Sequence, residues 1–229
     1  MDAPAAASLK GAPMKVEVES YTKSIKGAVV LDRVSCSFES GVCYGLNGKN
    51  GSGKTMLLRA VAGLIFPSSG RVTFDGKVLG RDVSFPDSMG LLIESPSFIP
   101  RYTGLKNLEL LASLRNKASE ADIKAALESV GLDPADKRHY RKYSLGMKQR
   151  LGIACAFMES PDLILLDEPI NALDPSGVEC VERLVHKAKE RGAIVVVACH
   201  DADELRVLAD EIITMAEGRI IKRSEVRHE

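Results

Sequence analysis

Gly48-Lys49-Asn50-Gly51-Ser52-Gly53-Lys54-Thr55 is the stretch that decides the fold. It matches GxxxxGK[ST], in which glycines let backbone amide groups curl around phosphates without a Cβ clash. A helix that begins at the end of such a loop points its positive end at the same phosphates. The lysine of this pattern reaches the β- and γ-phosphates, and the final hydroxyl can ligate Mg²⁺. The stretch therefore predicts a binding site for ATP with Mg²⁺.

The residues on either side of this loop support that interpretation. Val42-Cys43-Tyr44 reads as a short apolar strand before the loop, and a helical pattern runs from Lys54 to about Leu64 after it. A flexible glycine turn is the alternative, but such a turn requires neither flank. The predicted phosphate-binding residues are Asn47, Gly48, Asn50, Gly51, Ser52, Gly53, Lys54 and Thr55.

A second segment predicts the other half of the site. Leu163-Ile164-Leu165-Leu166 is an apolar run that ends in Asp167-Glu168. An acid at this position can lie beside the loop and hold Mg²⁺ together with Thr55, so Asp167 is a predicted metal ligand. Glu168 could polarise the attacking water as a general base. Many strands end in acids, so this signal depends on the presence of the loop.

The order of apolar patterns predicts an α/β fold. Alternating residues from Met14 to about Phe38 indicate antiparallel strands, and residues 97–156 read mostly as helix. The runs 163–166 and 194–198 indicate buried parallel strands with a helix between them. We expect a P-loop core with a mainly parallel sheet, an N-terminal antiparallel β subdomain and an inserted helical lobe. Residues 1–13 read as a flexible tail, and 14–229 as a single domain with the helical subdomain at about 97–156.

Composition excludes several functional classes. Lys plus Arg and Asp plus Glu both total 31, whereas a free-standing nucleic-acid binder usually has a basic excess. The five cysteines form no CxxC pair, which argues against a disulfide framework or a zinc site and fits a reduced cytosolic compartment. No stretch approaches the roughly 18–20 apolar residues that cross a bilayer. Any membrane-spanning part would come from another chain.

Five motifs together resemble the nucleotide-binding subunits of ABC transporters. They occur in that family's order: GLNGKNGSGKT, YSLGMKQR, LILLDEP, NALDP and ACH. The resemblance covers about Val16 to Ile221. The variants LLIESPSF and YSLGMKQRLGIA resemble more narrowly the bacitracin- and lantibiotic-type exporters, which protect bacteria against peptide antibiotics.

The resemblance implies that some site residues act across a dimer. The family signature, usually LSGGQ, stands here as residues 143–147, with Leu145 in place of a glycine and Met147 in place of the glutamine. Ser144 and Gly146 are retained, and in the family this helix start contacts the γ-phosphate bound by the opposite subunit. Asp174 of NALDP resembles the loop that crosses the dimer interface. A helix cap for Ser144 and an ordinary turn for Asp174 are the alternatives.

The resemblance assigns two further residues to the catalytic centre. Glu94 lies where a glutamine usually touches Mg²⁺ and senses the permease, so it is predicted as a metal ligand and a catalytic residue; a solvated surface glutamate is the alternative. His200 follows an apolar strand and resembles the family's switch histidine, whose imidazole contacts the γ-phosphate or orients the water.

Two departures leave recognition of the base open. The family often stacks adenine on an aromatic residue, and Ile25 stands at that position. Met56 replaces a second hydroxyl near the α-phosphate. Neither change touches the γ-phosphate chemistry.

The resemblance implies an ATPase subunit that powers a separate transmembrane permease, and its narrower part implies a permease that exports peptide antibiotics. It would form a homodimer on binding ATP and Mg²⁺ and associate peripherally with the inner face of the cell membrane from the cytoplasm, with no nucleic-acid partner expected. One alternative is an ABC ATPase that acts on nucleic acid or ribosomes without a permease. Another is a nucleotide-dependent regulator that does not hydrolyse ATP, which the substitutions at Ile25, Leu145 and Met147 make conceivable.

Overall fold

The structure is a computed structural model that describes residues 13–226. Nearly all of the tail predicted at residues 1–13 therefore lies outside the described residues. Within 13–226 the chain forms two β-sheets with helices packed against the larger one. None of the helices in this part of the chain is both long and apolar enough to cross a membrane.

The smaller sheet is antiparallel, which confirms the prediction for the N-terminal region. Its strand order is β2-β1-β4-β5, and the strands are β1 (Lys15–Ile25), β2 (Ala28–Glu39), β4 (Ser69–Phe74) and β5 (Lys77–Val78). In β1, Val16 pairs with Phe38 of β2 on one side and with Phe74 of β4 on the other. Alternate β1 residues point to opposite faces, so Val16 and Val18 are buried while Lys15 is exposed.

The larger sheet is mainly parallel, as predicted. Its order is β10-β9-β3-β8-β7-β6, and only β10 runs antiparallel to its neighbour. The strands are β3 (Cys43–Asn47), β6 (Met89–Leu92), β7 (Leu163–Asp167), β8 (Ile194–Cys199), β9 (Glu211–Ala216) and β10 (Arg219–Glu225). Because β3, β8 and β7 are adjacent and parallel, the loops at their carboxyl ends meet at one edge, where α/β proteins bind ligands.

Residues 13–226 form six α-helices, and the sequence predicted helical structure at all of them except the last. They are α1 (Lys54–Val61), α2 (Gly104–Arg115), α3 (Glu120–Ser129), α4 (Leu145–Phe157), α5 (Pro175–Glu190) and α6 (Ala202–Leu208). The helix after the loop ends at Val61 rather than near Leu64, because Gly63 has a φ of 75° that an α-helix cannot continue. The helices α2, α3 and α4 fall within 97–156, while the division of the chain into one domain with an inserted lobe stays a prediction.

Both faces of the parallel sheet are covered, which explains the unbroken apolar runs in β7 and β8. Leu163 and Leu165 face a core shared with α1 and the antiparallel sheet. Ile164 and Leu166 face a second core shared with α2 to α6. A strand buried on both faces has no solvent side on which to place polar residues.

Helix α4 lies directly on β6. A Cβ atom at Gly90 would lie 1.8 Å from the carbonyl oxygen of Ala156, so the backbones can approach this closely only at a glycine. This contact fixes α4, and with it Ser144 at its start, relative to the parallel sheet.

The buried face of β7 gives a stability prediction. Ile164→Ala removes a side chain that is 0% exposed, and we expect unfolding free energy to fall by about 2–5 kcal/mol because a cavity remains. Ile221→Ala on β10 is the matched control, because this side chain is 63% exposed and its loss should change stability by about 0.5 kcal/mol or less. Urea unfolding followed by circular dichroism measures both, and equal losses would contradict the assigned core.

Candidate active site

The glycine-rich loop joins β3 to α1 and borders a cavity of about 440 Å³. This volume lies within the roughly 300–1,000 Å³ of small-molecule sites. Gly48 has a φ of 154°, and a Cβ there would lie 2.4 Å from the carbonyl oxygen of Met215, so the loop requires glycine at this point. The cavity is lined by Val29, Val30, Asn50, Gly51, Ser52, Gly53, Lys54, Thr55, Met56, Asp167, Glu168, Glu217 and Gly218.

Two loop side chains favour an anion in this cavity. The Lys54 ammonium is buried, and it donates to the carbonyl oxygens of Gly48 at 2.5 Å and Lys49 at 3.5 Å. Within residues 13–226, the Ser52 Oγ is a buried side-chain oxygen without a hydrogen-bond partner. Burial of the Lys54 ammonium and of the unpaired Ser52 hydroxyl costs free energy. Hydrogen bonds from both groups to an oxyanion would offset this cost. The loop therefore fits a phosphate chain.

Thr55 and Asp167 form the closest link between the two predicted halves of the site. The Thr55 Oγ1 donates to Asp167 Oδ2 at 2.7 Å, across 112 residues of sequence. Burial raises the pKa of Asp167, the nearby Glu168 charge raises this pKa further, and the Thr55 hydrogen bond opposes the shift. A bound cation would favour the charged form of the Asp167 carboxylate. Hydroxyl and carboxylate oxygens are ligands that Mg²⁺ accepts. Thr55 and Asp167 therefore fit the predicted metal site.

Glu168 and His200 lie side by side after β7 and β8. The His200 Nδ1 is 3.0 Å from Glu168 Oε2 and 3.1 Å from Glu168 Oε1. Glu168 has a φ of 49°, a left-handed conformation that is costly for a residue with a side chain. This turn directs the carboxylate to the edge of the cavity, so the structure brings together both residues predicted to act on the attacking water.

Gln149 of α4 holds the backbone beneath Glu168, a role that the sequence analysis did not assign. Its Nε2 donates to the carbonyl oxygens of Glu168 at 2.9 Å and Pro169 at 3.0 Å. The one sequence signal was its place in YSLGMKQR, five residues after Ser144. The helical lobe thus contacts the segment that carries the predicted base.

Glu94 lies near the same edge but is paired with a cation. Its Oε1 accepts from Arg59 Nη2 at 2.5 Å, and its φ of 59° is also left-handed. With Asp167, Glu168 and Gln149 it lines a second cavity of about 320 Å³ next to the loop cavity. The Arg59 partner was not predicted, because nothing in the spacing of these residues indicates it.

Asn47 lies apart from the other predicted phosphate-binding residues. It is the last residue of β3, and it lines a different cavity together with Arg206 and Lys222. It does not border the loop cavity described above. Proximity in sequence to the loop was the basis for including it, and the side chains of a strand alternate between two faces.

Ser144, Gly146 and Asp174 lie outside the loop cavity of their own chain, as far as the described residues show. The Ser144 Oγ caps α4 by accepting from the Met147 amide at 3.2 Å. Asp174 caps α5 by accepting from the Gly177 amide at 3.1 Å. The Arg150 guanidinium, 2.5 Å away, lowers the pKa of Asp174. The cap and turn alternatives are therefore present in the structure, and neither prevents a contact with a second copy.

Part of the cavity lining is formed by aliphatic residues. Val29 and Val30 of β2 line it together with Met56, while Ile25 is 39% exposed and is not part of this lining. The sequence position expected to contact adenine is thus displaced from the cavity in the described structure, and the adjacent valines offer apolar surface instead.

Comparison with known proteins identifies the family. The ABC transporter family profile matches residues 31–171. The ABC transporter ATP-binding protein YybJ of Bacillus subtilis is 45% identical over 205 residues, which cover 90% of this chain and 94% of YybJ. The bacitracin transport ATP-binding protein BcrA of Enterococcus faecalis is 37% identical, with 92% of this chain and 69% of BcrA covered. The lantibiotic transport ATP-binding protein SrtF of Streptococcus pyogenes is 34% identical, with 92% and 90% covered.

Solved structures agree with the sequence relatives. The ATP-binding cassette MJ0796, in a dimeric post-hydrolysis state bound to ADP and Pi, superposes with a TM-score of 0.85 at 25% identity, covering 93% of this chain and all of that one. CbiO1 of Clostridium perfringens, part of the transporter complex CbiONQ, gives 0.76 at 25% identity, with 92% and 88% covered. The expected fold is confirmed, and the chain belongs to the ABC transporter family as one of its ATP-binding ATPase subunits.

Proposed function

We propose that two copies of this chain close head to tail over two molecules of ATP and that their hydrolysis powers a separate membrane permease. One observation carries this proposal. The Thr55–Asp167 hydrogen bond and the Glu168 carboxylate border one cavity above a phosphate-binding loop, and His200 contacts Glu168 beside it. Metal-ligand oxygens, a general base and its partner therefore meet where a γ-phosphate would lie.

Each residue at this edge has a role that follows from its contacts. Lys54 exchanges the carbonyl oxygens of Gly48 and Lys49 for phosphate oxygens when the loop fills. Thr55 and Asp167 hold Mg²⁺, which would neutralise charge on the β- and γ-phosphates. Glu168 accepts a proton from the attacking water. His200 Nδ1–H donates to the Glu168 carboxylate in one tautomer and so keeps it oriented.

The proposed dimer follows from the signature segment. Ser144 is exposed and Leu145 is 69% exposed, although they begin a helix whose dipole favours an anion. The loop cavity of the same chain does not include Ser144 or Gly146, and this supports a contact of the two residues with phosphate bound by a second copy. Asp174, also exposed, would approach the partner beside them. The dimeric MJ0796 structures support this arrangement by analogy.

An exposed apolar surface supports docking to the permease. Phe66 is 60% exposed and Phe85 is 55% exposed, and we call these two residues with Leu64 and Leu114 the Phe66 surface. Arg115, at the end of α2, donates to the carbonyl oxygen of Asp87, which places Leu114 near the Phe85 loop. Large apolar side chains grouped on a surface usually mark a contact with another protein.

The proposed cargo is a peptide antibiotic that the permease exports. The support is the similarity to the bacitracin and lantibiotic transport proteins over more than nine-tenths of this chain. Glu94, within LLIESPSF, lies beside the catalytic carboxylates and also faces Arg59, so it could relay the state of a docked permease to the metal site.

A first prediction concerns the assigned base. Glu168→Gln keeps the shape of the side chain but cannot accept the proton, so hydrolysis should slow by about 10²- to 10⁴-fold. ATP binding should persist, and dimers should accumulate with Mg²⁺-ATP in size-exclusion chromatography. Glu190→Gln, on the far end of α5, is the matched control and should hydrolyse ATP like the parent. Normal turnover by the Glu168 variant would remove it from the proposed role.

A second prediction concerns docking to the permease. Phe66→Asp combined with Phe85→Asp should abolish co-purification with a co-expressed partner permease, because charge replaces apolar contact area. Binding of ATP by the isolated variant should stay unchanged. Ile221→Asp is the control, since this residue is equally exposed but lies on β10. Loss of the complex in both variants would argue against a specific surface.

A third prediction concerns cargo. Deleting the gene for this chain should make its host more sensitive to bacitracin or a lantibiotic, measured as a fall in minimal inhibitory concentration of at least about fourfold. The gene restored with Glu168→Gln should fail to recover resistance, while the wild-type gene should recover it. Unchanged sensitivity to both classes of peptide would refute the proposed cargo and leave the ATPase assignment intact.

A further inference from the structure

Four side chains with metal-binding atoms converge at the ends of β7 and β8. We call Glu168, Cys199, His200 and Glu204 the thiol cluster. One ligand atom each from Glu168, Cys199 and His200 lies within 4.8 Å of the other two. The Cys199 Sγ is 3.5 Å from Glu168 Oε2 and 2.8 Å from Glu204 Oε2. The His200 Nδ1 is 3.0 Å from Glu168 Oε2, so Glu168 lies between the thiol and the imidazole.

The spacing of these atoms suits a tetrahedral metal ion. Zn²⁺ binds sulfur at about 2.3 Å and nitrogen or oxygen at about 2.0–2.2 Å, which separates neighbouring ligand atoms by about 3.3–3.8 Å. Three separations in the thiol cluster, Cys199–Glu204, Glu168–His200 and Cys199–Glu168, run from 2.8 to 3.5 Å, so small rotations of these side chains would open the required space. A thiolate and an imidazole select a softer ion than Mg²⁺, which prefers oxygen ligands alone.

The cluster is also accessible to an ion. Cys199 is 1% exposed, but the His200 side chain is 56% exposed and the Glu168 side chain is 26% exposed. Glu204 is an exposed residue of α6. An ion can therefore reach the imidazole and the carboxylates from the solvent side and then contact the thiol beneath them.

We propose that the thiol cluster is a Zn²⁺ site that, when occupied, blocks ATP hydrolysis without displacing ATP. In the metal-free chain the Cys199 thiol donates a hydrogen bond to Glu204 Oε2. On binding, an S–Zn bond forms and the thiol proton leaves to solvent. His200 and Glu168 supply the next two ligands, and Glu204, which contacts the thiol, would move to supply the fourth. The site is separate from Thr55 and Asp167, whose hard oxygen atoms hold Mg²⁺.

The inhibitory part of this inference rests on the proposed roles of Glu168 and His200. Zn²⁺ would bind the Glu168 carboxylate, which is proposed to accept the proton from water. It would also bind the His200 imidazole, which is proposed to orient that carboxylate. Lys54 and the loop amide groups lie elsewhere on the cavity and would still bind the phosphates. Binding of the metal itself does not depend on those roles, so the two parts can be tested separately.

The binding test uses the full chain without nucleotide, reduced with a phosphine that does not bind zinc. Zn²⁺ is titrated in competition with a chromophoric chelator, and Co²⁺ is used as a spectroscopic probe of the sulfur ligand. We expect a thiolate-to-cobalt charge-transfer band and an affinity for Zn²⁺ that Cys199→Ser lowers at least tenfold. Glu204→Gln, at an exposed position that folding tolerates, should lower it several-fold. Cys180→Ser is the control, because this cysteine is buried on α5 outside the thiol cluster.

The inhibition test measures phosphate release with saturating Mg²⁺-ATP and rising Zn²⁺. Zinc should inhibit the parent and Cys180→Ser chains, and Cys199→Ser should need at least tenfold more Zn²⁺ for the same loss. Binding of a fluorescent ATP analogue should be unchanged by zinc. Absence of the cobalt–thiolate band, or equal zinc affinity in parent and Cys199→Ser chains, would overturn the site. Cysteine-dependent binding without any loss of hydrolysis would overturn the inhibitory part and would also count against Glu168 as the base.

Discussion

The hydrogen bond between Thr55 and Asp167 is the contact on which the active site depends. It joins the loop after β3 to the end of β7, two strands that are separated by β8 in the sheet. This hydrogen bond crosses the end of β8. The phosphate-binding loop, the Asp167–Glu168 pair and His200 therefore lie together at one edge of the sheet. Burial of Asp167 and the neighbouring Glu168 charge raise the pKa of Asp167 against the opposing Thr55 hydrogen bond, and this makes a bound cation favourable.

The parts of the candidate site that the sequence predicts are those whose residues stand close together in one recognisable motif. The loop was predictable because its glycines and its lysine are fixed by the geometry of a phosphate chain. Asp167, Glu168 and His200 were predictable because each follows an apolar run that reads as a parallel strand. The pairing of Arg59 with Glu94, the bonds from Gln149 and the contact of Cys199 with Glu204 arise where distant segments meet. The spacing of residues within one sequence does not predict such contacts. It also does not predict the proposed zinc site, whose residues come from two strand ends and a helix.

Three residues with a strained backbone conformation border the second cavity of this edge. Glu94, Glu168 and Ala172 border it, and all three have left-handed φ values of 49–63° without being glycine. Each such residue costs on the order of 1 kcal/mol or more. Glycine would relieve the strain at Glu94 and Glu168 but would remove a carboxylate. Packing of α4 on β6 through Gly90 and the hydrogen bonds from Gln149 stabilise the backbone that carries this strain.

The position of Gln149 has a consequence for timing. Ser144 caps the helix that carries Gln149, about 7.5 Å away along the axis. Ser144 is proposed to meet the partner, and Gln149 is bonded to the backbone of Glu168. In the proposed dimer, a partner's nucleotide bound at Ser144 would act on the same helix that supports the backbone of Glu168. In such a dimer the state of one active site would affect the other. The two hydrolysis events would then occur in sequence rather than independently.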